Sequence, residues 1–202
     1  MTRHMPEQDR REQILSAARR CFIENGFHPT RMDDIAKAAG LSKGGVYFHF
    51  KSKQDVFNSL VDDEFAESMK FLRGIHQGDR PIRDKMQNIG AHFLQYFAQA
   101  PDAPRFFVVM GEMALRDAEL SQKLAQMQGQ FITEVSNLIR QGVEEGIFRP
   151  VDVEVVAALL KALVDGIEGL TALGYPLDAP RYLAGSLDLL MEGLRQRTEA
   201  SP

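Results

Sequence analysis

Apolar side chains recur at helical spacing along almost the whole chain, and no segment alternates strictly enough between apolar and polar residues to predict a strand. The first such stretch, residues 8–25, places Ile14, Ala18 and Phe22 on one face. Gly26 follows as a helix-ending residue, and Cys21, on the same face, is best explained as core. The pattern predicts an all-α protein.

Capping and breaking residues divide the rest of the chain into further helices. Thr30–Asp33 and Ser52–Asp55 have the pattern of capping boxes, and the stretches 74–81 and 101–104 contain helix-breaking glycines and prolines. We predict one domain over residues 1–53 and a second over 54–202, with the boundary near the helix that begins at Ser52. The helices are expected over about 30–40, 42–48, from 52, 82–98, from 104, 120–142, 152–173 and 179–197.

The segment from Thr30 to Lys53 contains two short helices joined at Gly40-Leu41-Ser42, which is the length and glycine placement of a helix-turn-helix. Apolar residues of both helices would pack the pair together and leave the second helix free to enter a DNA groove. Its exposed residues are of types that bind phosphates and base edges. They are Ser42, Lys43, Gly44, Gly45, Tyr47 and His49, with Lys51 and Lys53 just beyond.

The charge of the chain is unevenly distributed. The net charge of −4 argues against a nucleic-acid binder when it is taken as a bulk figure. Residues 1–53, however, contain ten Lys and Arg against six Asp and Glu, a net of +4, which leaves −8 on the remaining 149 residues. A basic head on an acidic body is typical of phosphate binding through one small module.

The run from Ile14 to Phe57, above all IAKAAGLSKGGVYFHFKSKQDVF, resembles the N-terminal domain of the TetR family of bacterial transcriptional regulators. Downstream, the chain is similar to that family in helical layout and in the stretch Gly142–Arg149. The resemblance implies a three-helix DNA-binding domain followed by a larger helical domain for ligand binding and dimerisation.

The resemblance also implies two kinds of DNA contact. Lys43, Gly44 and Gly45 would lie nearest the bases, and Tyr47 could touch a thymine methyl group. Gly45 stands where many relatives have threonine, which gives more weight to Lys43 and to DNA shape. The implied phosphate contacts are Thr30, Tyr47, His49 and Lys53.

Neighbouring side chains have structural interpretations. Phe48 and Phe50 are predicted to be core residues, whereas Tyr47 is the better candidate for DNA contact. His49 could equally be a structural histidine, and only the resemblance favours phosphate. The GxSxG pattern at 40–44 follows a helix instead of a strand, so it does not indicate a hydrolase nucleophile.

The segment 82–139 is rich in Met and Phe, which usually form plain core but also line adaptable apolar cavities. The resemblance favours a cavity for a small, mostly apolar effector without assigning its lining. His92 and Tyr96 could orient a ligand or could simply be half-exposed. The candidate lining residues are Met86, His92, Phe93, Tyr96, Phe107, Met110, Met113, Met127 and Phe131.

The helix over about 152–173 carries apolar residues on two faces and so needs two partners, and the last helix carries one further apolar stripe. We predict that both pair with their copies across a two-fold axis, as the resemblance also implies. Lys161 with Asp165 and Glu168 is interpreted as an ordinary surface ion pair. The predicted interface residues are Ala158, Ala162, Gly166, Leu183, Leu187, Leu190 and Leu194.

The sequence therefore predicts a homodimeric, ligand-responsive regulator that binds a double-stranded DNA operator, most simply a repressor of a palindromic site. We expect no enzymatic activity, no cofactor, no metal site and no membrane association, and we expect a cytoplasmic location because no targeting or membrane-length apolar segment is present. Two alternatives remain at this point: an architectural DNA binder of the same fold, and a helical small-molecule carrier or enzyme.

Overall fold

A computed structural model describes residues 6–76, 79–99 and 102–196. Pro101, in the predicted helix break, and Arg197, the predicted end of the last helix, lie outside these ranges. Within them the only bridge between extended residues is the isolated pair Phe148 and Arg195, so the all-α prediction is confirmed. The helices are α1 (Glu7–Asn25), α2 (Met32–Ala38), α3 (Lys43–His49), α4 (Lys53–His76), α5 (Ile82–Gln99), α6 (Ala103–Ala114), α7 (Ala118–Glu144), α8 (Val153–Ala172) and α9 (Ala179–Leu194).

The predicted cap of α4 is confirmed, and the cap predicted for α2 is wrong. The Ser52 hydroxyl accepts a hydrogen bond from the Asp55 backbone N–H at 3.1 Å, which satisfies a free donor of the first turn. In α2, by contrast, the backbone N–H of Arg31 donates to the Asp34 carboxylate at 2.8 Å. The helix therefore begins one residue later than the Thr30–Asp33 box predicts.

Helices α1 to α3 pack with the first half of α4 around one apolar core. Ile14 and Phe22 of α1, Ile35 of α2 and Val46 of α3 are all fully buried there. The core extends beyond residue 53, because the rings of Phe57 of α4 and Phe106 of α6 pack against each other within it at a tilt of 58°, with centroids 5.8 Å apart. The boundary predicted at residue 53 stays a prediction, with the head and body in direct contact across it.

The second half of α4 and helices α5, α7, α8 and α9 form a second core, in which two glycines allow close approach. A Cβ at Gly142 would lie 2.2 Å from the Phe148 ring, and a Cβ at Gly90 would lie 2.6 Å from Leu187. The glycine at 142 thus lets the chain fold back on α7, and the glycine at 90 brings α9 against α5. None of the helices in the described ranges is long and apolar enough to cross a membrane.

Candidate functional site

The turn between α2 and α3 fixes which face of α3 points outward. Gly40 has φ +66°, a left-handed conformation that favours glycine, and the Leu41 N–H returns to the Ala36 carbonyl at 2.9 Å. Val46 of α3 and Phe50 just beyond it are buried against the head core. Because they lie four residues apart on one side, the opposite side of α3 faces away from the protein.

The outward face of α3 begins with a capped first turn. The Ser42 hydroxyl accepts the Gly45 N–H at 3.1 Å, so this predicted DNA contact also holds the helix end. Gly44 faces open space, whereas a Cβ at Gly45 would lie 3.3 Å from the Ser42 hydroxyl oxygen. The two glycines therefore leave the backbone of this turn accessible to a partner.

Lys43 extends from this turn toward α2. Its ammonium lies 2.8 Å from a carboxylate oxygen of Asp33, and this hydrogen bond raises the pKa of Lys43. The same ammonium lies 5.9 Å from the ring centroid of Tyr47, which is itself exposed. Lys43 and Tyr47 thus form one cationic and aromatic surface on the outward side of α3.

Phe48 is the residue that the sequence prediction missed. Its side chain is 80% exposed, so the prediction that it belongs to the core is wrong, whereas Phe50 is 2% exposed as predicted. A helix turns about 100° per residue, which puts Phe48 on the side opposite to Val46. This periodicity was the signal that could have identified Phe48 as an outward aromatic side chain.

The basic side chains at the end of α3 and just beyond it differ in whether contacts within the protein hold them. Lys53 donates from its ammonium to the carbonyls of Phe27, at 2.6 Å, and His28, at 2.8 Å, and burial lowers its pKa. Lys51 is exposed, and His49 is half-buried with its ring edge against Phe48. Lys53 therefore ties α4 to the loop after α1, in addition to the phosphate contact that the resemblance implies.

Thr30 does not present its side chain outward. It is 1% exposed, and its hydroxyl donates to the carbonyls of Gly26, at 2.7 Å, and Cys21, at 3.2 Å. The implied phosphate contact by this side chain is wrong, because the hydroxyl is used to close the end of α1. DNA contact by the remaining predicted residues stays a prediction.

Beneath the head, a cavity of 120 Å³ lies between helices α4 to α8. Seven of the nine predicted lining residues border it, and two do not. Met113 packs instead in the head core, so the prediction is wrong for this residue. Met86 borders a separate groove between α5, α8 and α9, and its contact with a ligand stays a prediction. The predicted residues at the cavity are His92, Phe93, Tyr96, Phe107, Met110, Met127 and Phe131.

The cavity also contains acidic and basic groups that the sequence analysis did not assign to it. Glu168 is 6% exposed, and burial raises its pKa to about 7 although Lys161 nearby acts in the opposite direction. Lys161 pairs with Asp165, as predicted, but the prediction that Glu168 lies at the surface is wrong. Its spacing of four from the buried Val164 was the available signal.

Two side chains of the cavity wall, Tyr96 and His92, contact residues of helix α4. The Tyr96 hydroxyl donates to Glu64 of α4 at 3.4 Å, and burial raises the pKa of Tyr96, with Glu168 acting in the same direction. The His92 ring stacks on Phe71 with centroids 3.6 Å apart, and burial lowers the pKa of His92. Glu64, in turn, forms an ion pair with Arg19 of α1, so the chain of polar contacts reaches the head.

Two larger depressions lie elsewhere on the body. One of 780 Å³ between α4 and α5 is bordered by charged side chains, including Lys70, Arg80 and Lys85. Another of 490 Å³ lies between α5, α8 and α9. The smaller cavity is the candidate effector site, because it combines an apolar wall with a few buried polar groups, as small-molecule sites do.

An apolar stripe follows the outer side of α8 and α9. Ala162 and Gly166 lie on it as predicted, whereas Ala158 is half-buried beside it. On α9 the predicted interface is wrong for Leu183 and Leu194, because both are buried in the chain's own core. Leu187 is half-buried and packs on Gly90, and an interface role for Leu187 and Leu190 stays a prediction. Leu190 borders the 490 Å³ groove on the same inner side. The exposed apolar side chains of the stripe are Val155, Leu159 and Leu170 on α8, Leu173 directly after it, and Tyr182 and Leu189 on α9.

The helix-turn-helix head and the cavity-containing helical body define a DNA-binding regulator. Comparison with known families agrees: the profile of bacterial regulatory proteins of the tetR family matches residues 14–60. The profile of the C-terminal domain of the BetI-type transcriptional repressor matches residues 82–197. The chain belongs to the TetR family of transcriptional regulators.

Individual relatives match over nearly the whole chain. The fatty acid metabolism regulator protein of Bacillus subtilis is 24% identical over 192 residues, covering 92% of this chain and 95% of that protein. A transcriptional regulator from Saccharomonospora viridis in complex with choline has the same fold, with TM-score 0.80, 20% identity and coverage of 95% and 100%. SmeT, the repressor of a Stenotrophomonas maltophilia multidrug efflux pump, bound to triclosan, has TM-score 0.76 and 25% identity, with 96% of each chain covered.

Proposed function

We propose that the protein is a homodimeric repressor that binds a palindromic operator and releases it when a small molecule occupies the 120 Å³ cavity. The observation that carries this proposal is the outward face of α3, where Lys43, Tyr47 and Phe48 project from a helix whose other side is locked into the head core. Cationic and aromatic side chains on a short helix of this kind suit the major groove.

The apolar stripe on α8 and α9 supports dimerisation. It contains small residues, Ala162 and Gly166, between larger apolar side chains, a combination that lets two helix pairs pack closely. A two-fold axis at this surface would relate the two heads of a dimer, and each head would bind one half-site. The two half-sites would lie about one helical turn of DNA, or roughly 34–36 Å, apart.

Helix α4 supports coupling between cavity and head. Its first half belongs to the head core, and Phe65 and Met69 farther along it border the cavity. A ligand that prefers one orientation of α4 would shift the distance between the two heads. Relatives of this fold hold choline and triclosan, which supports a small-molecule effector in this body. We propose that the protein acts in this way, by binding without catalysis, in the cytoplasm where its operator is accessible.

The test is a selection of bound fragments from genomic DNA, followed by footprinting and fluorescence anisotropy at physiological salt. The proposal expects one palindromic site per dimer. Tyr47→Ala should weaken binding about tenfold, and Lys51→Ala should reduce the salt dependence by about one unit of slope, as expected for loss of one phosphate contact. Arg140→Ala, which removes a charge from the exposed side of α7, is the control. Binding at scattered sites with no shared palindrome, or unchanged operator binding in both Tyr47→Ala and Lys51→Ala, would overturn the proposal.

A further inference from the structure

We propose that the 780 Å³ depression between α4 and α5, here called the basic groove, binds a small organic dianion, with Lys85 as its main charge partner. The dianion is a phosphate monoester or a dicarboxylate, two groups that present the same doubly charged oxygens to a lysine. The proposed function uses the 120 Å³ cavity instead, and His92 and Tyr96 form the shared part of the two walls. A dianion in the basic groove would therefore be a second ligand, beyond the effector of the proposed repressor.

The burial of Lys85 is the first observation. Lys85 is 5% exposed and lies on the inward side of α5 together with Ile82 and Ile89, which are both buried. A buried ammonium is unfavourable unless an anion or several acceptors compensate it. Within residues 6–76, 79–99 and 102–196 the Lys85 ammonium has no ion-pair or hydrogen-bond partner, and the side chain borders the basic groove. An anion in the groove would supply this partner.

The charge of the groove wall is the second observation. Lys70 of α4, Arg80 of the connection to α5, and Lys85 border the groove, against one carboxylate among the described residues, that of Glu67. Burial lowers the pKa of His92, so its ring adds no charge near neutral pH. Three cations and one carboxylate give the wall a net charge of +2, although residues 54–202 together carry −8. A dianion would neutralise this wall, whereas an organic cation would add to its charge.

The shape of the groove is the third observation, because it leaves room for the organic part of a ligand. A volume of 780 Å³ lies in the range of small-molecule sites. Phe71 and His92 border the groove as a stacked pair with ring centroids 3.6 Å apart, and Asn88 and Gln95 add uncharged polar groups. Gly74 also borders it, and a Cβ there would meet no atom of another described helix within 4 Å, so this glycine leaves the groove open.

Five probes that share a benzene ring test the charge preference. Phenyl phosphate and phthalate carry two negative charges at pH 8, phenyl sulfate and benzoate carry one, and benzyl alcohol carries none. Binding of each to the full-length protein is measured by calorimetry at physiological salt, with inorganic phosphate as a sixth probe. We expect at least one dianion to bind about tenfold more tightly than its monoanionic counterpart, because its second charge also meets the positive wall. The tighter dianion identifies the phosphate or the carboxylate type, and inorganic phosphate should bind more weakly than it does.

Variants then assign binding to the groove. Lys85→Met keeps the length of the side chain, suits its apolar neighbours and removes the charge, so we expect it to weaken binding of the tighter dianion about tenfold. Gly74→Leu fills the groove without a change of charge and should weaken the same probe by about as much. Arg83→Met is the matched control, because it removes one positive charge from an exposed position on the same helix outside this groove. Thermal unfolding and operator binding of the three variants show that the fold is intact.

Each remaining result would overturn the assignment. Equal binding of dianions, monoanions and alcohol would show that the groove does not select for charge, and inorganic phosphate binding as tightly as the better dianion would reject an organic ligand. Undiminished binding in Lys85→Met or Gly74→Leu would place the dianion elsewhere, and equal loss in Arg83→Met would show that only the overall charge matters. Weaker operator binding in Lys85→Met with no binding of any probe would assign this lysine to the DNA backbone. The proposed repressor is tested separately, since its evidence lies in α3 and the 120 Å³ cavity.

Discussion

Arg19 of α1 and Glu64 of α4 form an ion pair at the junction between the head and the body. The Arg19 guanidinium also lies 4.7 Å from the Phe106 ring of α6, and burial lowers its pKa. On the other side, Glu64 accepts the Tyr96 hydroxyl and borders the cavity. A ligand that displaces the Glu64 carboxylate would therefore act directly on a residue of the DNA-binding head.

Glu64→Gln should weaken the response to effector more than it weakens operator binding itself. The change removes the charge that joins cavity to head, while α3 and its outward face are untouched. With triclosan as the probe, we expect the ratio of operator Kd with and without ligand to fall about fivefold, within the range of typical coupling energies. Asp63→Asn is the control, because Asp63 forms a longer, exposed pair with Arg11 across the same two helices. A response that is equally reduced in both variants would contradict a special role for the Arg19–Glu64 pair.

Phe48 and Phe50 should separate DNA binding from folding. Phe48→Ala removes an exposed ring, so we expect operator affinity to fall about tenfold, as for loss of an apolar base contact, with little change in stability. Phe50→Ala empties a buried site and should lower the free energy of unfolding by about 3–5 kcal/mol. Anisotropy and urea unfolding measure the two effects. If Phe48→Ala destabilises the protein as much as Phe50→Ala does, the exposed position of Phe48 is not the one it occupies in solution.

These two phenylalanines also show how far the sequence could predict the structure. The existence of the helices followed from periodicity and caps, and five of the seven predicted residues that border the cavity followed from the Met and Phe content. The errors concern which face of a helix is buried. Leu183 was assigned to a partner because its stripe is apolar, but it is buried in the chain's own core, and Gly90 on a distant helix opens space for Leu187 of the same stripe. Such long-range matches are not encoded in local spacing alone.

Gly142 should be sensitive to a single added methyl group. A Cβ there would lie 2.2 Å from the Phe148 ring, which is buried, so the ring or α7 would have to move. We expect Gly142→Ala to lower the free energy of unfolding by about 1–3 kcal/mol, the usual range for overpacking. Gly129 lies on the same helix, and a Cβ there would meet no atom of another described helix within 4 Å, so Gly129→Ala should stabilise the protein by about 0.5–1 kcal/mol. Opposite signs in urea unfolding support this packing, and equal effects contradict it.

Leu189 and Leu187 should have opposite roles in assembly, although they lie two residues apart on α9. Leu189 is 77% exposed on the apolar stripe, so Leu189→Glu is expected to dissociate the proposed dimer while leaving helix content unchanged. Leu187→Ala removes packing against Gly90 and should reduce stability without dissociating folded protein. Sedimentation velocity at micromolar concentration gives the oligomeric state of each. A Leu189→Glu protein that remains dimeric would show that the partner does not contact this face.

The buried carboxyl of Glu168 should make the free energy of unfolding depend on pH, and the direction of this dependence identifies the group. Burial raises its pKa from 4.5 to about 7, so between these values the folded protein holds a proton that the unfolded chain has lost. The contribution of this group to the free energy of unfolding is therefore fully present at low pH. It is lost as pH rises toward 7, by about 1.4 kcal/mol per pH unit and roughly 3 kcal/mol in all.

Glu168→Gln lacks this dependence on pH. The free energy of unfolding of the variant minus that of the wild type should therefore rise by a similar amount between pH 5 and pH 8. Urea unfolding at both pH values measures the difference, with Glu144→Gln, at an exposed position on α7, as the control for removal of one carboxylate. A pH-independent difference for Glu168→Gln would mean that its carboxyl remains ionised in the folded protein.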